Sequence, residues 1–67
     1  MPNLKLLKEV MDDSGMTKVT IAKRAGIERV TLYNRLAGSG EFTASEIIGL
    51  SKALHMTKAL RDQIFLT

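Results

Sequence analysis

Met16-Thr17-Lys18-Val19-Thr20-Ile21-Ala22-Lys23-Arg24-Ala25-Gly26-Ile27-Glu28-Arg29-Val30-Thr31-Leu32-Tyr33-Asn34-Arg35-Leu36-Ala37-Gly38 is the stretch on which the fold turns. Its first half sets Ile21, Ala22 and Ala25 at the spacing of one helix face, behind Thr17, whose hydroxyl can cap a helix start. Gly26 suits the left-handed backbone that ends a helix. A second helix begins near Glu28, buries Leu32 and Leu36, and stops at Gly38-Ser39-Gly40. Two short helices therefore meet at a turn centred on Gly26, where Ala22 permits a close crossing and Ile27 fills the corner. With Leu32 and Leu36 turned inward, the open face of the second helix consists of Arg29, Val30, Thr31, Tyr33, Asn34 and Arg35. That set is rich in side chains able to read base edges.

On either side of this stretch the chain shows helix signals and no strand signals. Leu4, Leu7 and Met11, with Val10 beside them, form the apolar stripe of a first helix that Asn3 caps and Ser14-Gly15 ends. Thr43-Ala44-Ser45-Glu46 has the spacing of a capping box and opens a fourth helix carrying Ile47, Ile48, Leu50 and Leu54. Gly49 inside it costs about 1 kcal/mol relative to alanine, which implies a close helix contact. Thr57 caps a fifth helix with Leu60, Ile64, Phe65 and Leu66. Without repeat, linker or Pro-rich segment, the reading is one all-α, five-helix domain over residues 1–67.

Composition narrows the function. At 67 residues with 45% apolar and 25% charged side chains, the chain is an ordinary small globular one. It has no cysteine and one histidine, so neither a disulfide nor a zinc site is expected, and no cofactor or metal. Asp12 and Asp13 are neighbours and diverge by about 100° on a helix, so they read as solvated charge and not as a catalytic pair. His55 reads as a helix-end surface residue, and the four methionines as core filler. No nucleophile with a base and no phosphate-cradling glycine loop is present, so an enzyme and a small-molecule ligand are not expected. The N-terminal Met1-Pro2-Asn3-Leu4-Lys5 lacks a signal-peptide core, and no apolar run approaches the roughly 18 residues of a membrane span. A cytoplasmic location with no membrane partner is expected.

Charge is unevenly spread. The whole chain carries +3, but between Met16 and Gly38 five cations, Lys18, Lys23, Arg24, Arg29 and Arg35, stand against Glu28 alone. The remaining residues hold five cations and six acids. This is an electrostatic footprint suited to a polyanion.

The stretch resembles the phage repressor and Cro-like family of helix-turn-helix DNA-binding proteins, the lambda repressor-like domains. Thr17, Ile21, Ala22, Gly26, Ile27, Leu32 and Gly38 fall where that family places threonine, leucine, alanine, glycine, valine, isoleucine and glycine. Three positions depart from it: Lys18 stands for the usual glutamine, Thr20 for the frequent glutamate, and Glu28 for the serine or threonine that opens the recognition helix. The resemblance implies a lambda repressor-like bundle with a helix-turn-helix over about residues 17–37 formed by helices 2 and 3. It also implies a minimal Cro-type transcriptional repressor of a phage or prophage switch, acting at the host nucleoid. Arg29, Val30 and Asn34 occupy its base-reading positions. Arginine suits guanine, asparagine adenine, and valine a thymine methyl. Tyr33 and Thr31 join them as base readers or phosphate donors, Glu28 as a partner for a cytosine amino group or for the helix's positive end, and Lys18, Arg35 and Ser39 as backbone contacts.

The C-terminal group Leu60, Ile64, Phe65 and Leu66 is wider than one buried stripe needs. Either the small core absorbs it or it is a dimer contact. The reading favours a weak homodimer on an inverted-repeat operator of double-stranded DNA, with half-sites one turn, about 34 to 36 Å, apart. The competing function is a protein-interaction or antitoxin-like module, which would place apolar side chains on the open face of the third helix.

Overall fold

Four of the five helices open on a side-chain cap. In the computed structural model, which describes residues 2–66, Asn3 Oδ1 accepts from the Leu6 amide at 3.1 Å and starts α1 (Leu4–Asp13). Thr17 Oγ1 accepts from Thr20 at 3.2 Å and starts α2 (Lys18–Ala25). Thr43 Oγ1 accepts from Glu46 at 3.2 Å, while Glu46 Oε1 accepts from the Thr43 amide at 2.9 Å; this complete capping box starts α4 (Ala44–Ala53). Thr57 Oγ1 accepts from Leu60 at 3.1 Å and starts α5 (Lys58–Phe65). Each cap satisfies an amide that the helix itself leaves open and is worth about 1 kcal/mol. The exception is α3 (Arg29–Leu36), whose N-cap Glu28 makes no side-chain hydrogen bond. Its carboxylate sits beside the positive end of the helix without satisfying an amide.

Left-handed residues follow the ends of α2, α3 and α4. Gly26 has φ +72°, and the Ile27 amide donates back to the Ala22 carbonyl at 2.9 Å. Gly38 has φ +90°, and the Ser39 amide donates to the Asn34 carbonyl at 2.8 Å. This six-to-one bond satisfies a carbonyl that the helix end leaves open. The same arrangement closes α4, where Met56 donates to Ser51 at 2.9 Å and exposed His55 takes φ +52° in the position glycine usually fills.

All five helices contribute to one core of Leu7, Met11, Ile21, Leu32, Leu36, Leu50 and Ile64 with neighbouring side chains. Helix α2 lies across α4, α3 lies beside α2, and α5 touches both α1 and α4. The α2–α4 crossing is close enough that a Cβ at Gly49 would overlap the Ala25 carbonyl oxygen, which is why a helix-weakening glycine stands inside α4. The Asn3 amide donates to the Ile64 carbonyl at 2.6 Å and ties the start of α1 to α5. Phe42 and Phe65 meet edge to face with ring centroids 5.3 Å apart. No helix of the described residues is long and apolar enough to cross a membrane.

This packing corrects the expectation about the C-terminal apolar residues. Ile64, read as a dimer contact, is completely buried in the core and has no surface to offer a partner. Leu60 and Phe65 are half-buried against the same core, so the core absorbs most of the C-terminal group and only Leu66 is left largely exposed. Of the apolar positions of α4, Leu50 joins the core while Ile48 is 52% exposed.

Candidate nucleic-acid interface

Helix α3 divides into three sectors around its axis. Turning about 100° per residue places Arg29, Tyr33, Val30 and Asn34 in one arc of roughly 140°, Thr31 and Arg35 on a flank, and Leu32 and Leu36 on the inner seam. Exposure follows that division: Arg29, Val30, Tyr33 and Asn34 are exposed, Thr31 and Arg35 are half-buried, and both leucines are buried. The pairs Arg29–Tyr33 and Val30–Asn34 are each one turn apart, so the four side chains form two adjacent rows. Among the described residues, no side-chain hydrogen bond or ion pair engages Arg29, Tyr33 or Asn34.

The two arginines of α3 are in different situations. Arg29 is exposed at the first helical position. Arg35 Nε lies 3.4 Å from Glu46 Oε1, and its Nη1 donates to the Ser39 carbonyl at 3.4 Å. Its guanidinium also fills the space over Gly40, where a Cβ would stand only 2.5 Å from Nη1. Glu46 thus serves both the Thr43 cap and Arg35, and the three residues fasten the loop between α3 and α4. Arg35, expected as a DNA backbone contact, makes this internal bridge to Glu46 and to the Ser39 carbonyl. The sequence signal that could have revealed it is the capping-box glutamate itself, an anion close to the end of a helix carrying an arginine.

The remaining site candidates and the other cations of the basic stretch are exposed. Lys18 is exposed at the first turn of α2, and Lys23 and Arg24 are exposed in its last turn, where cations also suit the negative end of the helix. Ser39 is exposed just past α3, but its amide is already taken by Asn34, which leaves the hydroxyl as its only unengaged donor. Thr20, in place of an acidic capping partner, accepts the Thr17 hydroxyl proton at 2.9 Å through its own hydroxyl. Val30 and Tyr33 are 62% and 43% exposed, which gives the arc apolar contact area as well as polar groups. His55 and the acidic side chains form no metal-holding group among the described residues.

No family model matches the chain, and neither a curated protein nor a solved structure matches it.

Proposed function

We propose that the chain is a sequence-specific double-stranded DNA-binding protein, a Cro-like repressor in which α2 and α3 act as a helix-turn-helix and α3 enters the major groove. The observation that carries this reading is the open arc of α3. Arg29 and Asn34, exposed and without internal partners, are the side-chain types that bond guanine and adenine edges bidentately, and Val30 between them suits a thymine methyl. Tyr33 lies in the same arc and completes the contact surface. Lys18 and the Ser39 hydroxyl, both exposed, fix the helix against phosphates, which positions it without reading sequence. Lys23 and Arg24 add to the field that attracts the duplex. Glu28, the uncapped entry residue, is left free to accept from a cytosine amino group.

The body measures 25 × 24 × 20 Å, so two copies side by side can present their third helices one turn of B-DNA apart, about 34 to 36 Å. A weak homodimer on an inverted repeat follows from this reading, with repression by occupancy. Exposed Val30 and Tyr33 favour a second reading, an interaction module that grips a protein with the same face. The excess of cations within residues 16–38 supports DNA over it.

Amide chemical-shift mapping with a duplex tests the proposal. Shifts concentrated at residues 29–34, at Lys18 and at Ser39 are expected. Shifts confined to α1 or α5, or none at all at low salt, overturn it.

A further inference from the structure

Two polar side chains of α3 and its entry carry hydrogen-bonding groups that the fold does not use. Glu28 stands exposed at the N-cap of α3, and its carboxylate bonds none of the helix amides. Asn34 is exposed one turn beyond Val30; the Ser39 amide already satisfies its backbone carbonyl at 2.8 Å, so its side-chain amide is not needed to close the helix. Among the described residues no ion pair or side-chain hydrogen bond engages either group. Both oxygens are therefore open to an external donor.

The donors that suit them share one chemistry. A carboxylate offers acceptors only, so in the major groove it fits cytosine N4, while the N7, O6 and O4 atoms of the other bases repel it. An asparagine amide, with an acceptor beside a donor, fits adenine N6 and N7. Both targets are exocyclic amines, and each shows the groove a single hydrogen, because the other is held in the base pair. A methyl group on that nitrogen takes the outward position when pairing is kept. It then replaces the one donor available and leaves the Glu28 or Asn34 oxygen facing an apolar group without a partner. We propose that α3 senses the methylation state of its DNA site, and that N4-methylcytosine or N6-methyladenine at the pairs met by Glu28 and Asn34 excludes the protein. The inference rests on the proposed DNA reading and adds a chemical control of its occupancy. The face does not reject methyl groups in general, since Val30, 62% exposed, gains contact from the C5-methyl of thymine.

Fluorescence anisotropy of the full chain with the duplex it prefers in a selection from randomised DNA tests the inference. The duplex is made unmodified, with N4-methylcytosine in place of cytosine, and with N6-methyladenine in place of adenine. Each mark is expected to weaken wild-type binding roughly five- to 150-fold, the range of one base contact. Glu28→Ala is expected to bind the unmodified and N4-methylated duplexes alike while still losing affinity on the N6-methylated one, and Asn34→Ala to show the reverse; circular dichroism checks that both variants are helical. Equal wild-type affinity for all forms overturns the inference, as do penalties that persist unchanged in the variants. Its failure and that of the DNA reading are distinguishable. A selection that recovers no preferred sequence removes base reading and the inference with it, whereas a preferred duplex bound regardless of methylation leaves base reading standing and removes the methylation control alone.

Discussion

Arg29 and Arg35 stand on the same eight-residue helix, and only one of them is free. Arg29 sits on the open arc with Val30, Tyr33 and Asn34, while Arg35 is drawn across Gly40 to Glu46 and closes the loop into α4. An identical side chain thus serves as a surface in one case and as a brace in the other. Six residues of separation and one acidic neighbour decide between them. Under the proposed reading, Lys18, Lys23, Arg24 and Arg29 are the cations of the basic stretch without an ion-pair partner among the described residues.

The largest expected effect is on the seam that holds both arginines in place. Leu32→Ala empties a fully buried site and is expected to cost about 2 to 5 kcal/mol of stability, whereas Val30→Ala on the open arc stays within about 0.5 kcal/mol. Chemical denaturation of the two variants checks the contrast, and equal losses would mean that the arc is not open.

Next comes the contrast in binding. Arg29→Ala is expected to lose about 1 to 3 kcal/mol of DNA affinity and to relax selectivity at one base pair, while Lys18→Ala weakens all sequences alike. Titration of each variant against a preferred duplex and its single-base changes measures this; a uniform loss across sequences for Arg29→Ala would remove it from the base readers.

Arg35→Ala inverts the pattern. It removes the partner of Glu46, which is only 16% exposed, and is expected to cost about 1 kcal/mol of stability without changing which sequences are preferred. A changed preference with unchanged stability would place Arg35 on the DNA after all. The smallest effect belongs to the uncapped start of the helix: Glu28→Ser supplies the missing cap and is expected to add about 0.5 to 1 kcal/mol in thermal denaturation.

Helix number, order and starts were legible in the sequence because their causes are local. Asn3, Thr17, Thr43 and Thr57 each find the amide they need within three residues, and Gly26 and Gly38 take the left-handed turn with no distant help. Gly49 was legible too, since its cost within a helix has to be offset by close packing. What escaped the sequence depends on which elements meet in space. Arg35 finds Glu46 eleven residues on, Ile64 turns into the core beneath α1, and Ile48 turns out beside Leu66. Periodicity alone cannot separate inward from outward apolar positions when a helix is only eight residues long, as α5 is. His55 was legible as a helix-end surface residue, but its left-handed conformation was not, because glycine is the residue that usually marks that position.

Selection of the protein against a randomised pool of duplex DNA, with affinity followed against salt concentration, tests the central claim most directly. Recovery of an inverted repeat with half-sites about one helical turn apart, bound well at physiological salt, is the result the account predicts. Recovery of unselected sequences, with binding that vanishes by physiological salt, would contradict it and reduce the open arc of α3 to a charged surface.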